Sequence, residues 1–321
     1  MYRREKESKH KLLWKDQIPW RSIRTTTTSL ASSIFSYRRE HGRTYHAYKD
    51  GAYFLPNDER EIDRLDLQHH IFNMTFDNRL YFAPINPNLQ NALDIGTGTG
   101  IWAIDFADLH PSCRVIGTDL SPTQPAFVPP NLEFVIDDAE DPWLFRQKFD
   151  FIHVRLLAGS FKNWPTVIQS CYDALAPGGW LELQDYILPC EAPDESYAGT
   201  SLEQWNQVML RAAAALGRPM DVADHYAEWM GKVGFTEVTE RQFIWPTNTW
   251  PRDPKLKEIG KWNEVNMLQG LAGFSLALMT RGLAWSKDEV DVFVAKVRAD
   301  MRDRRIHAYF RIPVVYGQKP L

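Results

Sequence analysis

The chain has 321 residues, 44% of them hydrophobic and 24% charged. That suffices for one large α/β domain with additions, or for two small ones. The formal net charge of −4 gives no general pull toward nucleic acid. No apolar run reaches the roughly 18 residues a membrane span needs, and MYRREKESKH lacks an apolar signal core. Cys113, Cys171 and Cys190 are far apart and form neither a redox pair nor metal-ligand spacing, so a reducing compartment is expected.

Charge is uneven along the chain. Residues 1–50 hold 12 Lys/Arg against 5 Asp/Glu. Residues 1–36 are polar and basic and are expected to be a flexible arm. The stretch 37–88 is denser. Asn57 or Asp58 can cap a helix, and Ile62, Leu65, Ile71 and Phe72 give it one apolar face, so this region is expected to be a helical cover lying on something larger.

Strands and helices then alternate. NALDI (91–95), CRVIGTD (113–119), NLEFVID (131–137), FDFIHVR (149–155) and WLELQDY (180–186) are predicted strands. IWAIDFADLH (101–110) and WPTVIQSCYDAL (164–175) are predicted helices, the second stopped by Pro177-Gly178-Gly179. This order implies a doubly wound, mostly parallel sheet. SPTQPAFVPP, between the second and third strands, is too rich in proline for a crossover helix. Further on, 201–217, 225–234, 255–280 and 286–303 have helical patterns. Residues 235–246 and 307–317 are predicted strands, the last with Pro313, which suggests a sheet edge or a bulge. The α/β core is expected to comprise 89–246 plus 306–321, with the helical stretch 251–305 set between its last two strands.

The sharpest motif is Ala92-Leu93-Asp94-Ile95-Gly96-Thr97-Gly98-Thr99-Gly100. Its glycines allow a tight turn at the carboxyl end of the first strand, where a ligand can approach backbone N–H groups and the positive end of the next helix. A dinucleotide fingerprint G-x-G-x-x-G would need glycine at 101, and Ile101 stands there. The order D-x-G-x-G-x-G is similar instead to motif I of class I methyltransferases. That resemblance implies that Asp94, Gly96, Thr97, Gly98 and Gly100 hold the amino-acid end of S-adenosylmethionine (SAM). A valine at Gly98 should block such a loop.

Two more acids follow at strand ends. Asp119, with Leu120 beside it, can accept hydrogen bonds from both ribose hydroxyls and would repel a 2′-phosphate. Asp138-Ala139 stands where the family meets adenine. Arg155, at the tip of the fourth strand, completes the expected cofactor set.

Methyl transfer needs alignment and exclusion of water, and a protonated oxygen or nitrogen acceptor also needs a base. The catalytic histidine many small-molecule O-methyltransferases carry after the fourth strand is absent, since Phe161-Lys162-Asn163-Trp164 stands there. The Asn/Asp-Pro-Pro-Tyr motif of N-methyltransferases is absent too. The candidate bases are His153, His70 and Tyr45, with His69, His46 and Asp185 behind them. His69 and His70 cannot share one helix face. No metal-ligand cluster is visible.

Several stretches together resemble the fungal LaeA-like methyltransferases: GRTYHAYKDGAYFLPNDEREIDRLDLQHH (42–70), LDIGTGTGIWAIDFAD (93–108), GTDLSPTQPAFVPPNLEFVIDDAEDPW (117–143), APGGWLELQD (176–185) and VVYGQKP (314–320). The resemblance implies a Rossmann-like class I methyltransferase, with a seven-stranded SAM-binding sheet, an N-terminal helical cover and a C-terminal helical insertion. It implies SAM as cofactor and leaves two roles open. One is methylation of an O or N atom of a small secondary metabolite, which Trp205, Trp229, Trp245, Trp250 and Trp262 could help to enclose. The other is that of a LaeA-like regulator of secondary metabolism in complex with a velvet-type protein. A cytoplasmic location is expected, with a nuclear one as the alternative.

Overall fold

The computed structural model describes residues 36–49 and 53–321; the arm expected over 1–36 lies outside these residues, apart from Ser36. The N-terminal region differs from the expected helical cover. It starts with a hairpin, β1 (Arg38–Glu40) and β2 (Arg43–Tyr45), and supplies a single helix, α1 (Glu59–Thr75). Asp58 caps α1 by accepting from the Glu61 N–H at 3.1 Å, satisfying one of the orphan donors of the first turn.

The core alternates as its apolar runs dictate. It comprises β3 (Asn91–Ile95), α2 (Ile101–Leu109), β4 (Arg114–Asp119), β5 (Leu132–Ile136), β6 (Phe149–Arg155), α3 (Trp164–Ala174), β7 (Leu175–Gln184) and β8 (Ile187–Glu191). Strand β3 is buried from Ala92 to Ile95 and pairs in parallel with β4 on one side and β6 on the other. Burial on both faces explains why its apolar run does not alternate. No helix connects β4 to β5, as the prolines of that segment require. None connects β5 to β6 either.

The remaining elements are α4 (Ser201–Ala215), α5 (Tyr226–Val233), β9 (Thr236–Pro246), α6 (Pro254–Leu283), α7 (Lys287–Arg302) and β10 (Tyr309–Gln318). The sheet runs β5-β4-β3-β6-β7-β10, and β10 also pairs with β8 and β9. It thus has eight strands rather than the expected seven. The extra one arises because β7 and β8 form a single broken line along one side of β10, paired at Val314–Gln318 and at Tyr309 and Arg311 respectively. Seven strand positions remain across the sheet, five of them parallel.

Two further expectations change. Pro177-Gly178-Gly179 does not stop the helix by a separate turn, because β7 begins at Leu175 and runs through it. Pro313 is not on an edge, since β10 lies between β7/β8 and β9. It sits beside the β7–β8 break, where its carbonyl accepts from the Asp185 N–H. A missing donor facing an interrupted strand costs no ladder bond there.

Helix α6 has 30 residues, roughly 45 Å at 1.5 Å per residue. It packs against α1, α4 and α7. Its 254–283 span therefore forms the spine of a helical layer over the carboxyl end of the sheet, and α4 belongs to that layer as well. Among the described residues, no helix is long and apolar enough to cross a membrane.

Candidate active site

In an open parallel sheet, ligands settle outside the carboxyl ends of the strands where the crossovers change direction. Here that point lies between β3 and β6, and an open cavity of about 1320 Å³, its mouth included, occupies it. Its floor includes Asp94 in β3 with Gly96, Thr97 and Gly98 after it, Asp119 at the end of β4 with Leu120 after it, Asp138 and Ala139 after β5, and Arg155 at the end of β6. Three acids from three successive strand ends therefore face one crevice.

Gly100 is not in the cavity wall. It caps α2 in the left-handed region at φ 79°, and a Cβ there would come within 2.4 Å of the Phe134 ring. Gly98 is left-handed too, at φ 58°, but a Cβ on it would meet only Leu65 Cδ1 at 3.6 Å. The constraint at Gly98 is thus backbone conformation, not the steric block expected from the sequence.

The Asp94 carboxylate is buried, with one protein partner on each oxygen. Its Oδ2 accepts from Thr97 Oγ1 at 2.5 Å, and its Oδ1 meets His153 Nδ1 at 2.7 Å. His153 is the Cα partner of Asp94 across the β3–β6 ladder. Its ring stacks on Trp102 with centroids 3.7 Å apart and planes 5° apart. Burial pulls the His153 pKa down, against the pull of Asp94. Although His153 borders the cavity, its side chain is wholly enclosed beneath the loop. It holds Asp94 and is not positioned as a base for an acceptor.

The Asp119 carboxylate spans the loop and its own turn. Oδ2 accepts from the Gly98 N–H at 2.8 Å and Oδ1 from the Ser121 N–H at 2.9 Å. Burial raises its pKa to about 6. Asp138 accepts from the Glu140 N–H at 2.9 Å and pairs with Lys49 Nζ, also at 2.9 Å. Lys49 reaches Asp141 as well, so the segment after β2 is tied across the β5 end of the crevice. Arg155 donates to His69 Nδ1 at 3.1 Å and lies over the Phe72 ring. His69 Nε2 meets Asp105 at 2.9 Å. With both ring nitrogens engaged, His69 is a link between α1 and α2 and not a free base.

The other candidate bases stand elsewhere. Tyr45 is buried in β2 under the Arg281 guanidinium, 5.0 Å from its ring centroid, and does not line the cavity. His70 is on the outer face of α1 with its ring against Trp262. These two assignments are corrected on geometry: Tyr45 is enclosed by packing, and the helical period turns His70 away while His69 faces inward. His46 is buried and outside the cavity wall. Asp185 accepts from the Leu157 and Ala158 N–H groups at 3.1 and 2.9 Å and from the Tyr226 hydroxyl at 2.9 Å. It shapes the loop after β6, and burial raises its pKa to about 6.

A second, smaller cavity of about 740 Å³ adjoins the first. The two share walls at Tyr53, Leu55, Leu65, Gln68 and Leu156. Its other walls are mostly apolar and include Trp205 and Met209 of α4, Met220, Trp245 of β9 and Phe310 of β10. Of the five tryptophans expected to enclose an acceptor, Trp205 and Trp245 do so; Trp229, Trp250 and Trp262 do not. Each of the two indole N–H groups has a partner, Ser275 Oγ and Thr75 Oγ1 respectively, both at 2.8 Å. They therefore offer the chamber their apolar faces.

Sequence reasoning missed Tyr53, Glu61, Arg64, Gln68, Asn263 and Asn266, which line one cavity or both. One signal was available. Glu61, Arg64 and Gln68 recur at helical spacing beside the apolar positions of α1, so a polar stripe faces inward.

The strand order and the glycine loop define a class I methyltransferase, whose cofactor is SAM. A methyltransferase-domain family model matches residues 67–240. The chain is 43% identical over 298 residues to the methyltransferase pytC of Aspergillus terreus, covering 92% of each chain. It is 37% identical to the secondary metabolism regulator LAE1 of Cochliobolus heterostrophus, covering 88% of this chain and 94% of that one. A crystal structure of an Anabaena variabilis protein, assigned as a methyltransferase from an antibiotic biosynthesis pathway, has the same fold. That match has a TM-score of 0.50 at 14% identity and covers 81% of this chain and 99% of the other. The protein belongs to the LaeA-like family of SAM-dependent methyltransferases.

Proposed function

We propose that the protein transfers the SAM methyl group to an O or N atom of a small secondary metabolite held in the apolar chamber. The observation that carries this reading is the shared wall between the cofactor crevice and a chamber faced by Trp205 and Trp245. A sulfonium methyl presented at that junction would meet an acceptor lying among aromatic side chains, away from water. In this reading Asp94, Gly96, Thr97 and Gly98 hold the amino-acid end of SAM, with Gly100 shaping the turn from outside the cavity wall, Asp119 and Leu120 hold the ribose, and Asp138 and Ala139 the adenine. Arg155 closes the β6 side, and His153 positions Asp94. Residues 37–88 and 251–305 cover the acceptor side, and 89–246 with 306–321 carry the cofactor.

The relationship to LAE1, a secondary metabolism regulator, favours a second reading, that of a regulator; its methyl acceptor would then be a protein side chain or its partner a velvet-type protein. One experiment separates the two. The purified protein is incubated with methyl-labelled SAM and, in parallel, with the organic extract and the protein extract of its source cells. Label in a low-mass organic product supports the metabolite reading. Label confined to protein, or none with either extract, overturns it.

A further inference from the structure

The apolar chamber has one polar wall, at the seam between α1 and α6. Arg64 is buried there, 2% exposed. Its Nε and Nη2 donate to Glu61 Oε1 at 3.0 and 2.7 Å, and its Nη1 donates to Asn266 Oδ1 at 2.7 Å. A guanidinium has five N–H donors, so these bonds leave one N–H on each terminal nitrogen. Asn266 is fixed in turn by donating to Asn263 Oδ1 at 3.3 Å, and Asn263 donates to the Pro246 carbonyl at 3.0 Å. The stem of Arg64 is accommodated by Gly270. A Cβ at that position would lie 2.8 Å from Arg64 Cδ and 2.4 Å from the Phe274 ring, over which the guanidinium sits at 4.8 Å.

The charge at this wall is already balanced. Glu61 lies against Arg64, and Arg43 pairs with Asp58 and approaches Glu61 at 4.0 Å. Two guanidinium groups and two carboxylates leave no net charge. An anionic ligand would enter a low-dielectric chamber without a counter-charge of its own, which is costly. A neutral oxygen could accept the remaining N–H groups without that penalty.

We propose that Arg64, held by Glu61 and Asn266, is a specificity-determining residue that orients an acceptor through a neutral carbonyl or hydroxyl oxygen, the rest of that acceptor being flat and apolar. This rests on the metabolite reading and names the acceptor class for the same chamber.

The probes are 2-naphthol, 2-naphthoate and 2-methylnaphthalene, which share one flat body and differ in carrying a neutral oxygen, an anion or neither. Binding is measured by calorimetry at pH 7 on the full chain saturated with S-adenosylhomocysteine. Naphthol is expected to bind roughly tenfold more tightly than methylnaphthalene, and naphthoate more weakly than naphthol. Arg64→Met alone would strand the Glu61 carboxylate, so the paired variant Arg64→Met/Glu61→Gln is used beside it, with a thermal melt on each. The pair should bind naphthol and methylnaphthalene equally and keep its affinity for methylnaphthalene. Asn266→Ala should reduce the preference without abolishing it.

Equal binding of naphthol and methylnaphthalene by the parent protein would overturn the inference. So would a preference for naphthoate, the absence of any binding, or a naphthol preference retained in a folded paired variant. Label transfer to protein alone, in the extract experiment, would instead sink the metabolite reading, so the two failures are distinguishable.

Discussion

The two cavities share five wall residues but are built in opposite ways. The cofactor crevice is made of a glycine turn and of three acids at or just beyond the carboxyl ends of successive strands. Its position follows from strand order, and its chemistry from a single turn. The acceptor chamber is made of side chains from α1, α4, α6, β9 and β10, elements far apart in sequence. The first is a property of the fold and the second a property of how distant elements pack upon it. Substitutions at the crevice should therefore damage SAM binding whatever the acceptor, whereas those in the chamber should change acceptor use and leave the cofactor alone.

The largest effect should come where the turn itself is forced. Gly100→Val combines a left-handed φ with a collision against Phe134. It is expected to cost about 3 kcal/mol or more and to abolish binding of S-adenosylhomocysteine, as read from a melt and a titration. A variant with the parent melting temperature and affinity would show that Gly100 does not set the loop.

Next is Asp119→Ala, which should weaken binding of S-adenosylhomocysteine on the order of a hundredfold, the loss of two charge-assisted hydrogen bonds, with a much smaller effect on the melt. Its pH dependence sharpens the assignment. Burial raises the Asp119 pKa to about 6, so the ionised acceptor form prevails above that pH and is lost as pH falls through it. Affinity should fall between pH 7 and pH 5 in the parent and stay flat in Asp119→Asn. A parent profile without an inflection near 6 would remove Asp119 from the ribose site.

The same division decides what was legible in the sequence. The parallel core could be read from NALDI to FDFIHVR because each strand is a mainly apolar run and the first three end at a glycine turn or an acid, and those local patterns also fix where the crevice falls. The β7–β8 break could not be read, because it depends on β10, more than a hundred residues later. Pro313 looked like an edge marker since its partner strand is interrupted only in three dimensions. On the acceptor side, the tryptophans were recognised as a group, but only the tertiary packing of α4 and β9 decides which two face the chamber. Nothing in the sequence beyond helical spacing singles out Arg64 and Glu61, and only α6 covering them makes them a buried pair.

The chamber side of the comparison can be tested by filling it. Met209 is buried on α4 and lines only the apolar cavity. Met209→Trp should obstruct the acceptor, lowering turnover at least tenfold for a roughly 1–3 kcal/mol cost in stability. Affinity for S-adenosylhomocysteine should change by less than about twofold, since independent sites barely couple. Equal losses of cofactor and acceptor binding would mean that the two cavities act as one.

The smallest expected effect bears on the base. Tyr45 and His70 carry the right chemistry for proton transfer, yet both lie outside either cavity wall, one enclosed under Arg281 and the other facing Trp262. A general base acts only within hydrogen-bond reach of the proton it takes, directly or through one water. Tyr45→Phe and His70→Ala should therefore each leave kcat within about twofold of the parent, whereas loss of a true base costs roughly a hundredfold or more. A drop of that size in either variant, with the fold and cofactor affinity intact, would require the cover formed by the β1–β2 hairpin and α1 to move during turnover and bring that residue to the junction. The acceptor chamber would then be assembled by motion, and its contrast with the crevice would extend from packing to dynamics.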